Sequence, residues 1–141
     1  SPKVIAAARE RLSRYAHVEL REGDMHAIEC PDAAFDLVLL MHALTYAEKP
    51  AKALAEAARA LRPGGRLLAT CLAKHEHQSV VEPYGHLNLG FTEKELRKLA
   101  EKAGLEVRVC EVVAKEKRPP HFEVISLIAH KPGSSTERKR A

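Results

Sequence analysis

Histidines are the residues of this sequence whose number and spacing could support chemistry. Three of the eight, His75, His77 and His86, lie with Tyr84 in one polar stretch, residues 73–90. Imidazole is a common metal ligand, and it also exchanges protons near neutral pH. The spacing matches no closed zinc pattern, and the stretch contains no cysteine. We therefore expect no metal site, and we interpret the stretch as a solvated or substrate-facing loop.

Two further candidate residues follow predicted strands. Asp24 comes after Gly23 and a short predicted strand at Val18–Leu20, and an aspartate beside a glycine is typical of a turn. His42 directly follows the apolar run Phe35–Met41. An imidazole at that point could orient a substrate hydroxyl or accept its proton, and it could equally cap backbone groups at the strand end.

The elements that must position these residues follow from hydrophobic periodicity and turn signals. The nearly continuous apolar run at 35–41 is typical of a parallel strand that is covered on both faces. In chain order we predict a helix from Ser1-Pro2, strands at 18–20 and 35–41, a helix from Pro50 to Leu61, a stop at Pro63-Gly64-Gly65 and a strand at 67–72.

The second half of the chain carries a strong helix signal. Thr92 and Glu95 have the spacing of a capping box, and the apolar stripe Leu96, Leu99, Ala100 and Ala103 follows before Gly104. Two strands, at 105–109 and 122–129, are expected to form an antiparallel pair that closes an otherwise parallel sheet. The order predicts an α/β fold with ligands at the carboxyl ends of the parallel strands.

Three motifs in this order resemble successive motifs of the class I S-adenosylmethionine-dependent methyltransferases. They are Gly23-Asp24-Met25, Phe35-Asp36-Leu37-Val38 and Leu61-Arg62-Pro63-Gly64-Gly65-Arg66-Leu67. The resemblance extends from Ser1 to about Pro132. Within the family it looks most like the small-molecule branch of ubiquinone and menaquinone biosynthesis, which also occurs fused to helix-turn-helix repressors.

The resemblance implies a role for each candidate residue toward S-adenosylmethionine and its methyl acceptor. Asp24 would accept a hydrogen bond from the adenine amino group, and Met25 would offer a backbone N–H and an apolar side chain to the ring. Leu40 and Met41 would line the same cleft, and His42 would border the transferred methyl as a candidate catalytic residue. The candidate substrate-binding residues are His77, Tyr84 and His86.

The sequence departs from the family's pattern at its start. The glycine-rich loop that contacts the methionine portion of the cofactor, and the acidic residue that holds the ribose, are absent. Ser1-Pro2-Lys3 resembles the segment directly after that acidic residue. We therefore expect a Rossmann-like, doubly wound, mainly parallel sheet without its N-terminal strands, in which Phe35–Met41 exposes an apolar edge. A fragment, a partly recorded chain, or a homo-oligomer that covers this edge would each account for it.

Composition limits the remaining classes. Of the net charge of +4, +3 lies in residues 131–141, so we predict a partial methyltransferase domain at 1–132 and a flexible basic tail at 133–141. Aromatic residues make up 4% of the chain, which disfavours nucleic acid as a partner. No apolar run is long enough to span a membrane, and the three separated cysteines are typical of a reducing compartment. We expect a cytoplasmic protein.

The sequence leaves three functions open. The first is methyl transfer from S-adenosylmethionine to an oxygen, carbon or sulfur atom of a small molecule, with no metal required. The second is a degenerate methyltransferase-like module for dimerisation or ligand sensing, and the third is another Rossmann-type nucleotide-dependent enzyme.

Overall fold

A computed structural model describes residues 1–133 of the chain. Four strands form one sheet in the order β1-β2-β4-β3, and helices precede or separate them. The strands are β1 (Phe35–Met41), β2 (Leu61–Leu72), β3 (Glu106–Lys115) and β4 (Glu123–His130). The helices are α1 (Pro2–Leu12), α2 (Pro50–Ala60), α3 (Gln78–Val81) and α4 (Glu93–Lys102), with short 3₁₀ turns at Leu44–Tyr46 and Glu82–Tyr84.

The sheet is mixed. β1 pairs with β2 in parallel, whereas β4 is antiparallel to both β2 and β3. The predicted α/β class and the C-terminal antiparallel pair are therefore confirmed. Because β1 has β2 as its one partner in the described part of the chain, its other edge lies open, as the sequence predicted.

One face of the sheet is covered by α2 and α4, which also pack against each other. Leu54 and Leu96 bring the helices onto Leu67 and Leu127 of the central strands, and all four side chains are fully buried. Removing one leucine side chain from water contributes about 2 kcal/mol, so this layer dominates the stability of the chain. The predicted capping box of α4 is confirmed, because Thr92 and Glu95 each bond the other's backbone N–H at 3.0 Å.

The opposite face of the sheet is largely open, which corrects the prediction that strand 35–41 is covered on both sides. The alternate residues Phe35, Leu37, Leu39 and Met41 are 48–54% exposed. In the described residues no helix covers them, and α1 contains no buried residue. The side chains on both faces of β1 are apolar, but the described residues cover only one of the two faces.

The predicted strand at Val18–Leu20 does not form. Residues 18–23 carry no strand pairing, and the sheet contains β1, β2, β4 and β3 alone among the described residues. Leu61 also differs from its prediction as a helical residue: it is extended, fully buried and paired with Phe35, so β2 begins directly where α2 ends.

All three cysteines are free, and Cys71 and Cys110 are buried. Burial raises the pKa of the Cys71 thiol to about 12, so this side chain packs as a small hydrophobe. The predicted basic tail at 133–141 lies outside the described residues beyond Gly133. No helix within residues 1–133 has the length and apolar character to cross a membrane.

Two glycines with positive φ offer a matched test of this packing. A Cβ at Gly90 (φ 86°) would lie 2.5 Å from the carbonyl oxygens of Leu72 and Ala73, whereas one at Gly85 (φ 76°) would meet nothing within 4 Å. We expect Gly85→Ala to cost about 1 kcal/mol from backbone strain alone. Gly90→Ala should cost on the order of 3 kcal/mol, because backbone must also move. Urea denaturation measures both, and equal losses would contradict the crowding at Gly90.

Candidate functional site

Three chain segments meet at one edge of the sheet. β1 and β2 are parallel and end there at Met41 and Leu72, and the tip of the β3–β4 hairpin, residues 116–122, returns to the same edge. The carboxyl ends of parallel strands are where open α/β sheets bind their ligands. The edge is therefore the place to look for a site.

His42 is held rigidly at this edge. Its backbone has φ 51°, a left-handed conformation that histidine adopts more readily than most residues. The His42 N–H donates to the carbonyl oxygen of Thr70 at 2.8 Å, and the Thr45 hydroxyl donates to the His42 carbonyl at 3.1 Å. Since Thr45 is 1% exposed, the turn has a fixed, buried support. The backbone of His42 is thus set in place while its side chain stays exposed.

A cleft of about 320 Å³ opens beside His42. It brings together three of the predicted site residues, His42, Tyr84 and His86. Seven other residues complete its lining: Thr45, Tyr46, Leu72, Val80, Val81, Glu116 and Phe122. Sequence reasoning missed Tyr46, in the turn after β1, and also Glu116 and Phe122. The last two were missed because nothing local in the sequence shows that the hairpin tip folds over the end of β1.

His77 lies elsewhere. It stacks on His75, with ring centroids 5.8 Å apart, in a second hollow of about 460 Å³ behind Phe122. Phe122 lines both hollows and separates them, with its ring 4.6 Å from that of His75. Burial, followed by the neighbouring His77 and His86, lowers the pKa of His75, so this imidazole is neutral at physiological pH. Within residues 1–133 no three His, Cys, Asp or Glu side chains are arranged to hold a metal ion.

The Asp24 turn presents a carboxylate to solvent in a fixed orientation. Asp24 Oδ1 accepts two hydrogen bonds from His26, from the backbone N–H at 2.8 Å and from ring Nδ1 at 2.7 Å. These bonds, the backbone one first, lower the pKa of Asp24. The side chain remains 66% exposed. The second carboxylate oxygen makes no hydrogen bond to the described residues and is free to accept one from a ligand.

His26 connects this turn to the start of α2. Its Nε2 accepts the backbone N–H of Lys49 at 3.1 Å, so Nδ1 is the protonated nitrogen and donates to Asp24. Met25 packs half-buried against the core. Leu40 and Met41 point to opposite faces of the sheet, because neighbouring strand residues alternate. Leu40 is 8% exposed on the covered face, and Met41 is 54% exposed on the open one.

A second connection, which the sequence did not suggest, ties the segment after Asp24 to α2. Arg59 donates at 2.8 Å to the carbonyl oxygens of Ile28 and Cys30 and to the Asp32 carboxylate. Glu56 pairs with Arg59 at 2.9 Å and accepts the Ile28 N–H at 2.8 Å. The partners lie 27–31 residues apart, so no local motif could reveal them. Residues 28–32 are thereby held against the helix.

Comparison with known proteins shows what the chain is similar to. Residues 1–69 match the sequence profile of the methyltransferase domain family. The chain is 34% identical over 101 residues to a demethylmenaquinone methyltransferase of Tropheryma whipplei, a match that covers 70% of this chain and 40% of the relative. It spans less than half the length of the curated relatives that it matches.

Solved structures share the fold. An S-adenosylmethionine-dependent methyltransferase of Methanosarcina mazei superposes with a TM-score of 0.72 at 18% identity, covering 95% of this chain and 80% of that one. The methyltransferase CalH, solved with S-adenosylhomocysteine, gives 0.72 at 18% identity, with 93% and 40% covered. Residues 1–69 therefore match the methyltransferase domain family, and the chain has the fold that solved S-adenosylmethionine-dependent methyltransferases share.

The ion pair between Glu56 and Arg59 should make the stability of the fold depend on pH. Arg59 and the Ile28 N–H bond the Glu56 carboxylate and hold its pKa below the ordinary 4.5. The charged form therefore stabilises the fold above that value, and the contribution disappears as the pH falls through the lowered pKa. Glu56→Gln should lower the free energy of unfolding by about 1–2 kcal/mol at pH 7, the scale of hydrogen bonds to charged groups. The loss should shrink toward pH 3.

Urea denaturation followed by circular dichroism at the two pH values measures this difference. Glu101→Gln, which removes an exposed carboxylate of α4, is the matched control and should change stability by less than about 0.5 kcal/mol. An equal loss for Glu56→Gln at both pH values would show that the carboxylate charge contributes nothing.

Proposed function

We propose that the protein to which this chain belongs transfers the methyl group of S-adenosylmethionine to a small-molecule acceptor. The observation that supports the proposal is the hydrogen bond from the Lys49 N–H to His26, which ties the Asp24 turn to the start of α2, the helix that follows β1 and the His42 turn. The Asp24 turn presents an exposed, oriented carboxylate beside an apolar side chain, and the cleft at His42 is lined by rings. A nucleoside and a small acceptor need these two environments.

The residues at the Asp24 turn fit the adenine end of the cofactor. The free oxygen of Asp24 would accept a hydrogen bond from the adenine amino group. The half-buried Met25 would supply an apolar wall for the adenine ring. Because His26 holds the other oxygen, the Asp24 carboxylate is already oriented and loses little conformational entropy when a ligand binds. The cofactor, when bound, supplies the sulfonium methyl.

The His42 cleft would hold the acceptor. Methyl transfer is an in-line displacement, in which the acceptor atom forms a bond to the methyl carbon as the carbon–sulfur bond breaks. Protein side chains accelerate such a reaction mainly by alignment and by excluding water. Tyr84 and His86 would orient the acceptor, and His42, fixed at the turn, would receive a proton from it where one must leave. His77 contacts the other side of the Phe122 ring, and it would influence which acceptor binds by fixing the position of that ring.

Completion of the cofactor site would come from the open side of β1. The family's glycine-rich loop and ribose-binding acid would lie beside this strand, and its half-exposed apolar residues provide the surface for them. A second copy of the chain could cover the same edge. That open edge also favours the alternative function, a methyltransferase-like module for dimerisation or ligand sensing.

Calorimetric titration with S-adenosylhomocysteine tests the proposal on the product of the longest reading frame that contains this sequence. We expect binding, and we expect Asp24→Asn to weaken it about tenfold, because an amide N–H would face the adenine amino group while its oxygen still satisfies His26. Glu101→Gln should leave the affinity unchanged.

Absence of binding by the unaltered protein would refute methyl transfer and favour the sensing or dimerisation module. Binding of a nicotinamide dinucleotide in its place would indicate another Rossmann-type enzyme.

A further inference from the structure

We propose that the cleft beside His42 binds a small amine carrying an apolar or aromatic group, and that this amine is the methyl acceptor. The inference rests on the proposed function in taking this cleft as the acceptor's place. The preference for an amine rests on the cleft itself.

Aromatic rings form a large part of the cleft wall. Tyr46, Tyr84, His86 and Phe122 all line it, and the Tyr46 and His86 rings meet edge to face with centroids 5.1 Å apart. Leu72 and Val81, both buried, add an aliphatic floor. Ring faces attract cations electrostatically, and aromatic walls recur where proteins bind ammonium groups. The wall therefore suits a ligand with an apolar body and a positive end.

Glu116 supplies the complementary charge. It is the one carboxylate in the cleft lining, and neither lysine nor arginine contributes to that lining. The Glu116 backbone is held by its N–H bond to the Phe122 carbonyl at 2.8 Å, whereas its carboxylate makes no ion pair within residues 1–133. The adjacent Lys115 lines the hollow behind Phe122 instead. An ammonium group would pair with Glu116, while a carboxylate, phenolate or thiolate would be repelled.

The cleft also contains groups that can receive the amine's proton. His86 Nδ1 is buried and has no hydrogen-bond partner among the described residues, and such atoms normally have one. The His42 ring, which is exposed and lines the cleft, is the imidazole that a bound amine would reach directly. Transfer of the amine's proton to the imidazole of His86 or His42 would free the nitrogen lone pair, which would attack the methyl carbon. The nitrogen–carbon bond would form as the carbon–sulfur bond breaks with its electrons on sulfur, which would leave a methylated ammonium and S-adenosylhomocysteine.

Size narrows the class further. About 320 Å³ lies at the small end of ligand pockets, which run from about 300 to 1,000 Å³. A single ring with a short aminoalkyl chain fits that space. A quinol with a long hydrocarbon tail, of the kind that the name of the Tropheryma whipplei relative suggests, would have to leave most of its tail outside.

Protein-observed NMR titration at pH 7 tests the proposal with four probes of similar size: 2-phenylethylamine, 2-phenylethanol, phenylacetate and 2-naphthol. We expect the amine to bind most tightly and phenylacetate most weakly. Glu116→Gln should weaken amine binding about fivefold, the scale of a solvent-accessible ion pair, and leave 2-phenylethanol unchanged. Tyr84→Leu should weaken the amine by a similar factor, because Tyr84 is 72% exposed and its ring can be removed without disturbing the core.

Glu111→Gln is the matched control, since it removes a carboxylate of the same hairpin that does not line the cleft. Equal affinity for amine and alcohol, or equal amine binding by Glu116→Gln and the unaltered protein, would overturn the proposal. Preferential binding of 2-naphthol would overturn it in favour of a quinol-like acceptor. Amine binding requires no cofactor, so an amine preference without any affinity for S-adenosylhomocysteine would keep the amine site and refute methyl transfer.

Discussion

The parallel ladder between β1 and β2 is the interaction on which the site depends. Consecutive pairs from Leu37 with Arg66 to Met41 with Thr70 bring the two strand ends together, and the His42 N–H adds the next bond, to Thr70. β2 is central, and its antiparallel neighbour β4 begins at the edge where β2 ends, so the hairpin tip reaches the same place. A slip of one residue would turn Leu40 out of the core and move His42 away from the cleft.

The same sheet shows an imbalance between its two faces. Fully buried leucines join α2 and α4 to one side, while β1 turns a row of half-exposed apolar residues to the other. Natural proteins normally cover or pair such an edge. Because the chain spans less than half of its curated relatives, the open side of β1 is where we propose that the rest of the cofactor site attaches. The described residues contain the Asp24 turn and the His42 cleft, which we propose hold the adenine and the acceptor, and hydrogen bonds fix both turns.

Sequence predicted the elements whose signals are local. The apolar run gave β1 with the bounds that the structure has, and Thr92 with Glu95 gave the start of α4. The motif at Gly23 led to the Asp24 turn, but the strand predicted before it requires a neighbour, and pairing is a property of tertiary structure. Likewise, a nearly continuous apolar run cannot show whether both faces of β1 are covered by the described part of the chain.

The missed parts of the site depend on long-range contacts. Arg59 reaches residues 27–31 positions earlier, and Glu116 and Phe122 enter the cleft because a hairpin folds back across the sheet edge. His77 was grouped with His86 by sequence proximity, yet the ring of Phe122 divides their hollows. Loop residues that are near in sequence can line different hollows, and their spacing in the sequence does not show which hollow each one lines.

A crystal structure of the protein with S-adenosylhomocysteine bound is the most direct measurement of the central claim, that this sheet edge carries the cofactor and acceptor sites side by side. We predict the adenine amino group at about 3 Å from the free oxygen of Asp24, with the sulfur atom directed toward the cleft beside His42. A nucleoside bound elsewhere, with the Asp24 carboxylate bonded to His26 and to no ligand, would contradict this claim.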